Sequence, residues 1–144
     1  MSKINVRNII KSDYTNICKL ISEALGYDNE FAVLSARLNR LTDNGYITLV
    51  AEVNDMVVGF VGFLVMSAYE FEGEYIRILA LAVDVAYRNI GVGTALLNAV
   101  EKYAADNGIT TIALHSGTER TEAHCFYGNR GYRQYGFGFK KDLV

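Results

Sequence analysis

Proline is absent from the chain. With no ring to preset φ, every turn has to be made by Gly, Asn, Asp or Ser, and these residues do fall between the periodic segments. Histidine occurs only twice, which excludes a histidine-rich metal centre, and no metal is expected. The two cysteines, Cys18 and Cys125, lie far apart in no metal-ligand spacing, so reduced cytosolic thiols are expected. Neither sign of charge dominates: the net charge is −2, and no basic surface points to DNA or RNA. The opening MSKINVRN lacks the apolar core of a secretory signal, and no apolar run reaches membrane-spanning length. The expectation is a soluble cytoplasmic protein with neither nucleic acid nor membrane as a partner. No internal repeat, low-complexity tract or linker interrupts the chain.

What is present is ample core material. Apolar residues make up 51% and charged residues 21% of 144 positions, enough for one folded domain over residues 1–144. Ile4 to Arg7 alternates and predicts a first strand; Ser12 can cap a helix whose face carries Ile17, Leu20, Ile21, Ala24 and Leu25 before Gly26. Asp28 can start a second helix, with a stripe of Phe31, Leu34, Leu38 and Leu41 and a stop at Asp43-Asn44-Gly45. Tyr46–Val53 and Met56–Met66 are rich in β-branched and aromatic residues around Asn54-Asp55, a hairpin pattern. Glu74–Val85 predicts a strand, nearly all apolar from Ile78 to Val83, as in a sheet covered on both faces. Thr94–Asn107 predicts a helix with Leu96, Leu97, Val100, Tyr103 and Ala104 on one face. Thr110–His115 predicts a strand parallel to the previous one. Thr121–Asn129 predicts a short helix closed by Gly131, and Tyr132–Phe139 a last strand. The order β-α-α-β-β-β-α-β-α-β gives an α/β (α+β) fold, a mixed sheet of about six to seven strands flanked by about four helices.

The chemistry concentrates in ILALAVDVAYRNIGVGTALL, residues 78 to 97. A glycine turn that opens a helix offers unpaired N–H groups and a partial positive charge, a nest for anions. Gly91 and Gly93 let a ligand approach the main chain, and Arg88 adds a formal charge. Three phosphate-binding patterns compete. A P-loop needs G-x-x-x-x-G-K-S/T, and the lysine is missing. A dinucleotide fingerprint needs G-x-G-x-x-G, but Leu96 stands at the third glycine and Asp106 ends the same helix instead of the next strand. The third, Q/R-x-x-G-x-G/A after a central strand, is matched throughout by Arg88-Asn89-Ile90-Gly91-Val92-Gly93.

With that match the chain resembles the GNAT family of N-acetyltransferases over nearly its whole length. VRNIIKSDYTNICKLI resembles the family's first strand and helix, and LVAEVNDMVVGFVGF its second and third strands. AHCFYGNRGY resembles its late helix, usually A-x-x-F-Y-x-x-x-G-F/Y. The resemblance implies acetyl-CoA as co-substrate and an amine-bearing acceptor, with a homodimer left open. It further implies that Leu81, Ala82 and Val83 present main-chain groups to the pantetheine arm. Asn89, Ile90, Gly91, Val92, Gly93 and Thr94 would hold the pyrophosphate, with Arg88 beside them. Tyr127 would be the general acid that protonates the departing thiolate. Family bases are often carboxylates at the start of the central strand, here Glu74, or at the end of the next, here His115.

Such a transfer fits elementary chemistry. An amine attacks a thioester, an oxyanion forms, and a thiolate leaves; main-chain N–H groups and a phenol suit those needs. An alkylamine is mostly protonated at pH 7 (about 10.4 for lysine), so a base or a water relay must free it. A histidine at 115 has the residue type that suits a base, though a structural, hydrogen-bonded histidine is an equal reading; His124 is expected to face solvent. Tyr127 alone, one of ten tyrosines, would read as a packed aromatic; its place in the late-helix pattern favours the acid role, and Phe126 is expected in the core. Ala80 and Ala82 share a strand face, leaving room for a ligand or for a closely packed helix. Where many members carry Asn seven residues before the tyrosine, this chain has Arg120, whose contact would be a cofactor phosphate or an acidic substrate group. Ser116-Gly117 resembles a subset of small-molecule and peptide acetyltransferases. Cys125 lacks any nucleophile pattern and is expected to be a buried thiol. Glu70, Glu72 and Glu74 form either a solvated turn or an acidic mouth that draws in a cationic amine. The rival readings are a CoA-holding GNAT module without turnover, acting as a sensor or partner, and an acyltransferase that uses a longer acyl-CoA.

Overall fold

A computed structural model describes residues 3–116 and 120–144. The chain divides into two compact units, Met1–Ala113 and Leu114–Val144. Among the described residues a five-stranded sheet runs in the order β1-β2-β3-β4-β5, where β1 is Ile4–Asn8, β2 Ile47–Val53, β3 Met56–Ser67, β4 Glu74–Val83 and β5 Ile112–Leu114. The first four strands are antiparallel neighbours. The helices are α1 (Tyr14–Leu25), α2 (Phe31–Asp43), α3 (Val92–Asp106) and, in the second unit, α4 (Thr121–Asn129).

The sheet is covered on both faces. Tyr14, Ile17 and Leu20 of α1 and Leu34 and Leu38 of α2 cluster with Val50, Val57, Phe60 and Ala82 on one face. On the other, the Phe63 ring meets Tyr103 of α3 edge-on at 5.3 Å, beside the buried Val92, Leu96, Leu97 and Val100. Burial from both sides explains why β3 is one apolar run instead of an alternation. Asn54 and Asp55 turn the β2–β3 hairpin with φ of 52° and 63°, the two left-handed residues that a tight hairpin turn demands.

Between β3 and β4 the register shifts: Gly62 faces Ala80 while Phe63 faces Ile78, so Leu79 is an extra residue. A bulge of this kind reverses the alternation of the strand. Ile78 therefore shares the α3 face with Phe63, and Ala80 and Ala82 turn to the α1/α2 face, where both pack against the helical cluster. Their small side chains make room for helices.

Several sequence expectations move. Ser12 does not cap α1: Asp13 occupies that position, and its carboxylate accepts bonds from the Ile10 N–H and the Arg7 guanidinium. Asp28 does not start α2, which begins at Phe31 after Glu30; Asp28 instead accepts the Ser22 hydroxyl. Strand β4 stops at Val83 because Asp84 closes a short 3-10 turn, accepting from the Ala86 N–H at 2.9 Å. Helix α3 starts at Val92, two residues early, and β5 is only three residues long. Tyr132–Phe139 forms no strand among the described residues. Its alternation is carried by Tyr135, Phe137 and Phe139, all highly exposed, with glycines at 136 and 138 that favour no extended pairing. The mixed α/β class stands, with five strands in place of six to seven.

Candidate active site

In the first unit, the end of β4 and the start of α3 form one continuous surface. Leu81, Ala82 and Val83 pair on one side with Val61, Phe60 and Gly59. On the other side, β5 meets β4 near its beginning, where the Ile76 N–H donates to the Thr111 carbonyl at 3.0 Å. With three residues against the ten of β4, β5 leaves the last residues of that edge without a strand beside them among the described residues. Main-chain groups on such an open strand edge can pair with an extended ligand.

The chain then turns through Arg88, Asn89, Ile90 and Gly91, all exposed. Asn89 (φ 63°) and Gly91 (φ 98°) both adopt the left-handed conformation, and Gly91 is the N-cap of α3. The Ala95 N–H is the first to close an intrahelical bond, to the Gly91 carbonyl at 2.9 Å. The N–H groups of Val92, Gly93 and Thr94 precede it and have no intrahelical partner. They sit at the positive end of a 15-residue helix. This donor set fits a pyrophosphate: a concave run of main-chain N–H groups with the Arg88 charge alongside. Gly59 holds α3 against the sheet here, for a Cβ on it would reach Val92 Cγ1 and the Ala82 carbonyl. Glu74 is exposed at the opposite end of β4, facing Ser67. Eight residues of strand, roughly 25 Å at ~3.3 Å each, separate it from Ala82. Glu70 and Glu72 are exposed in the preceding turn.

In the second unit, Tyr127 lies half-buried on the last turn of α4. Its ring is edge-on to Tyr132 at 5.9 Å and tilted against Phe126 at 5.5 Å. Burial pushes the phenol above its ordinary value, and the Arg120 charge pulls the other way. Arg120 is the N-cap of α4, so seven residues, two helical turns, bring it to the Tyr127 face. His115 is exposed, and its imidazole lies against Gly138. His124 is exposed, as expected. Cys125 is also exposed rather than buried: α4 turns Ala123, Phe126 and Tyr127 inward, and position 125 falls on the opposite side. Gly117 lies outside the described residues, and the buried Ser116 Oγ has no hydrogen-bond partner among them. No group of three or more His, Cys, Asp or Glu among the described residues is gathered to hold a metal. No helix among them is long and apolar enough to cross a membrane.

Residues 6–132 match the model of the acetyltransferase (GNAT) family. The chain belongs to that family. This GNAT chain is 32% identical over 133 residues to an aminoalkylphosphonate N-acetyltransferase of Salmonella typhimurium, covering 92% of itself and 84% of that protein. It is 30% identical over 99 residues to human N-acetyltransferase 8, covering 69% of itself and 44% of that protein. The GNAT chain thus spans under half the length of several of its curated relatives. Among solved structures, a GNAT family acetyltransferase of Staphylococcus aureus superposes with a TM-score of 0.83 at 31% identity, covering 99% of this chain and all of that one.

Three features of the site escaped the sequence reading. The bulge at Leu79 has no residue-type signature beyond Gly62 across from it. Gly59 reads as an ordinary glycine within a strand, although a glycine there can signal close approach of another element. Gly138 carries no motif.

Proposed function

We propose that this GNAT chain, acting as one domain over residues 1–144, moves an acetyl group from acetyl-CoA to a primary amine of a small molecule or of a peptide or protein. Transfer is direct, within a ternary complex. The observation that carries the reading is the continuous surface from the open edge of β4 to the unpaired N–H groups at the start of α3. An extended, amide-bearing arm that ends in a pyrophosphate fits it. On this reading Leu81, Ala82 and Val83 bond the pantetheine arm. Asn89 to Thr94 hold the pyrophosphate, with Arg88 screening its charge.

The acceptor amine has to lose a proton before it attacks. His115 is assigned as the base, because imidazole exchanges protons near neutrality, with Glu74 as the other candidate. Glu74 stands a strand length from the end of β4 assigned to the cofactor. Tyr127 is assigned as the acid, and its burial supports a phenol kept protonated until the thiolate departs. Arg120 is assigned to an anionic group on donor or acceptor. No covalent enzyme intermediate is needed. Acyl chain length and acceptor identity are read by the same experiment: acetyl-CoA and longer acyl-CoA thioesters are offered with a broad amine panel, including aminoalkylphosphonates, and CoA release is followed. Acetyl-CoA binding with amine-dependent release is the expected result. Binding without release from any amine would support the non-catalytic module, and failure to bind acetyl-CoA would overturn the reading.

A further inference from the structure

Gly138 lies in the segment 132–144, outside every secondary-structure element. Its backbone is not left-handed, so an L-residue would meet no main-chain strain there. What glycine provides is space. A Cβ at this position would overlap His115 Nε2 and stand 2.8 Å from its Cδ2 and 3.1 Å from its Cε1. The apex of the imidazole therefore occupies the volume of the missing side chain. Nε2 is the ring atom pressed nearest, and Nδ1 is not among the three closest. The other glycine of the segment, Gly136, has nothing within 4 Å of the same position, so the contact belongs to 138 and not to the segment at large.

We propose that Gly138 is the positioning residue for His115: its bare Cα seats the ring with Nε2 turned to the main chain, leaving Nδ1 as the nitrogen that takes the proton. The proposal rests on the reading of His115 as the base. In the step itself, the protonated acceptor gives one proton to Nδ1, and the freed amine nitrogen bonds the acetyl carbon. The C–S bond breaks, and the sulfur leaves as a thiol with the proton of Tyr127. The second nitrogen proton passes to the phenolate that Tyr127 leaves behind. A base acting through Nδ1 must be neutral with its own proton on Nε2. Any side chain at 138 would rotate the ring and break that arrangement without touching the substrate.

The test is Gly138→Ala in the full chain, read as kcat, acetyl-CoA affinity and the long-range 15N–1H spectrum of the imidazole. The expected result is a tenfold or greater loss of kcat with acetyl-CoA Kd unchanged, no further loss when the change is made in a His115→Ala background, and displaced His115 cross-peaks. Wild type should show the neutral tautomer with the proton on Nε2. Gly136→Ala serves as the control, with kcat within twofold. An equal kcat loss in both backgrounds would mean that Gly138 acts only on folding and overturns the proposal, as would unmoved His115 cross-peaks or a proton on Nδ1. If His115→Ala alone keeps full turnover, the base assignment fails, and the proposed proton transfer through Nδ1 falls with it. The spectrum then decides separately whether Gly138 seats the ring.

Discussion

Gly59 of β3 lies so close to Val92, the first residue of α3, that a Cβ on it would stand 3.0 Å from Val92 Cγ1 and 3.0 Å from the Ala82 carbonyl. The helix whose N-terminus is assigned to the pyrophosphate thus rests on a strand position that has no side chain. Gly59→Ala must push α3 outward or displace Val92, which is itself buried. Overpacking of this kind costs about 1–3 kcal/mol, which a urea unfolding curve will show. Because the displaced element carries the N–H groups, acetyl-CoA should also bind more weakly, by about fivefold for each 1 kcal/mol of misplacement. Gly62→Ala is the control, since a Cβ there meets nothing within 4 Å.

Stability at low pH should be governed by Asp13. The residue is 4% exposed, and its carboxylate accepts both terminal Arg7 nitrogens, at 2.8 and 2.9 Å, while Arg7 Nε donates to Glu52 at 2.9 Å. The bond from Arg7 holds the Asp13 carboxyl below the usual carboxylate range, and the same guanidinium lowers Glu52. A depressed folded-state value means that the stabilisation is complete above the unfolded value of about 3.9 and is lost as pH falls through the folded one. Asp13→Asn should therefore cost about 2 kcal/mol at pH 6, between an exposed pair and a fully buried one. The gap between variant and wild type should close as pH is lowered below about 4. A constant gap down to pH 2 would sink the linkage argument.

The elements that carry strong periodicity were legible from the residues alone. The stripe of Leu96, Leu97, Val100 and Ala104 found α3, and Thr121–Asn129 is the helix observed. Boundaries moved where a side chain had a better partner than the helix end: Asp13 bonds Arg7, and Asp28 bonds Ser22. These are long-range or loop contacts that no local pattern encodes. The glycine turn was legible because left-handed residues and a helix start are local chemistry. The bulge at Leu79 and the Gly138–His115 contact were not, since each depends on a partner far along the chain.

Variants of Asn89 would separate main-chain from side-chain recognition of the phosphate proposed to bind there. Its φ of 63° is tolerated by Asn and Gly and costs most other residues about 1–2 kcal/mol. If the loop works through its backbone, Asn89→Gly should keep acetyl-CoA affinity within about twofold. Asn89→Val, a β-branched residue in a left-handed position, should weaken it by about tenfold, the equivalent of ~1.4 kcal/mol. Titration calorimetry on the two variants decides the matter, and equal losses in both would assign the contact to the Asn side chain.

Tyr127 offers the sharpest kinetic test. As the acid proposed to protonate the leaving sulfur, it would act in the chemical step and not in donor binding. Tyr127→Phe should therefore lower kcat by about a hundredfold, at the low end of general-acid effects because a thiolate is already a fair leaving group. Acetyl-CoA affinity should stay unchanged. The pH profile adds a second reading. Burial raises the phenol above its ordinary value near 10, and Arg120 opposes this. The acid form is then complete through pH 9, and the alkaline limb of kcat should lie above about 10. Arg120→Gln removes the opposing charge, so the limb should move to still higher pH. A shift toward lower pH would contradict the direction of that interaction. Folding carries the same sign: a raised folded-state value adds stability that is present below about 10 and lost as pH climbs toward the folded value. Loss of kcat above pH 10 must therefore be read beside a circular-dichroism curve, and only a limb that precedes unfolding reports the catalytic phenol.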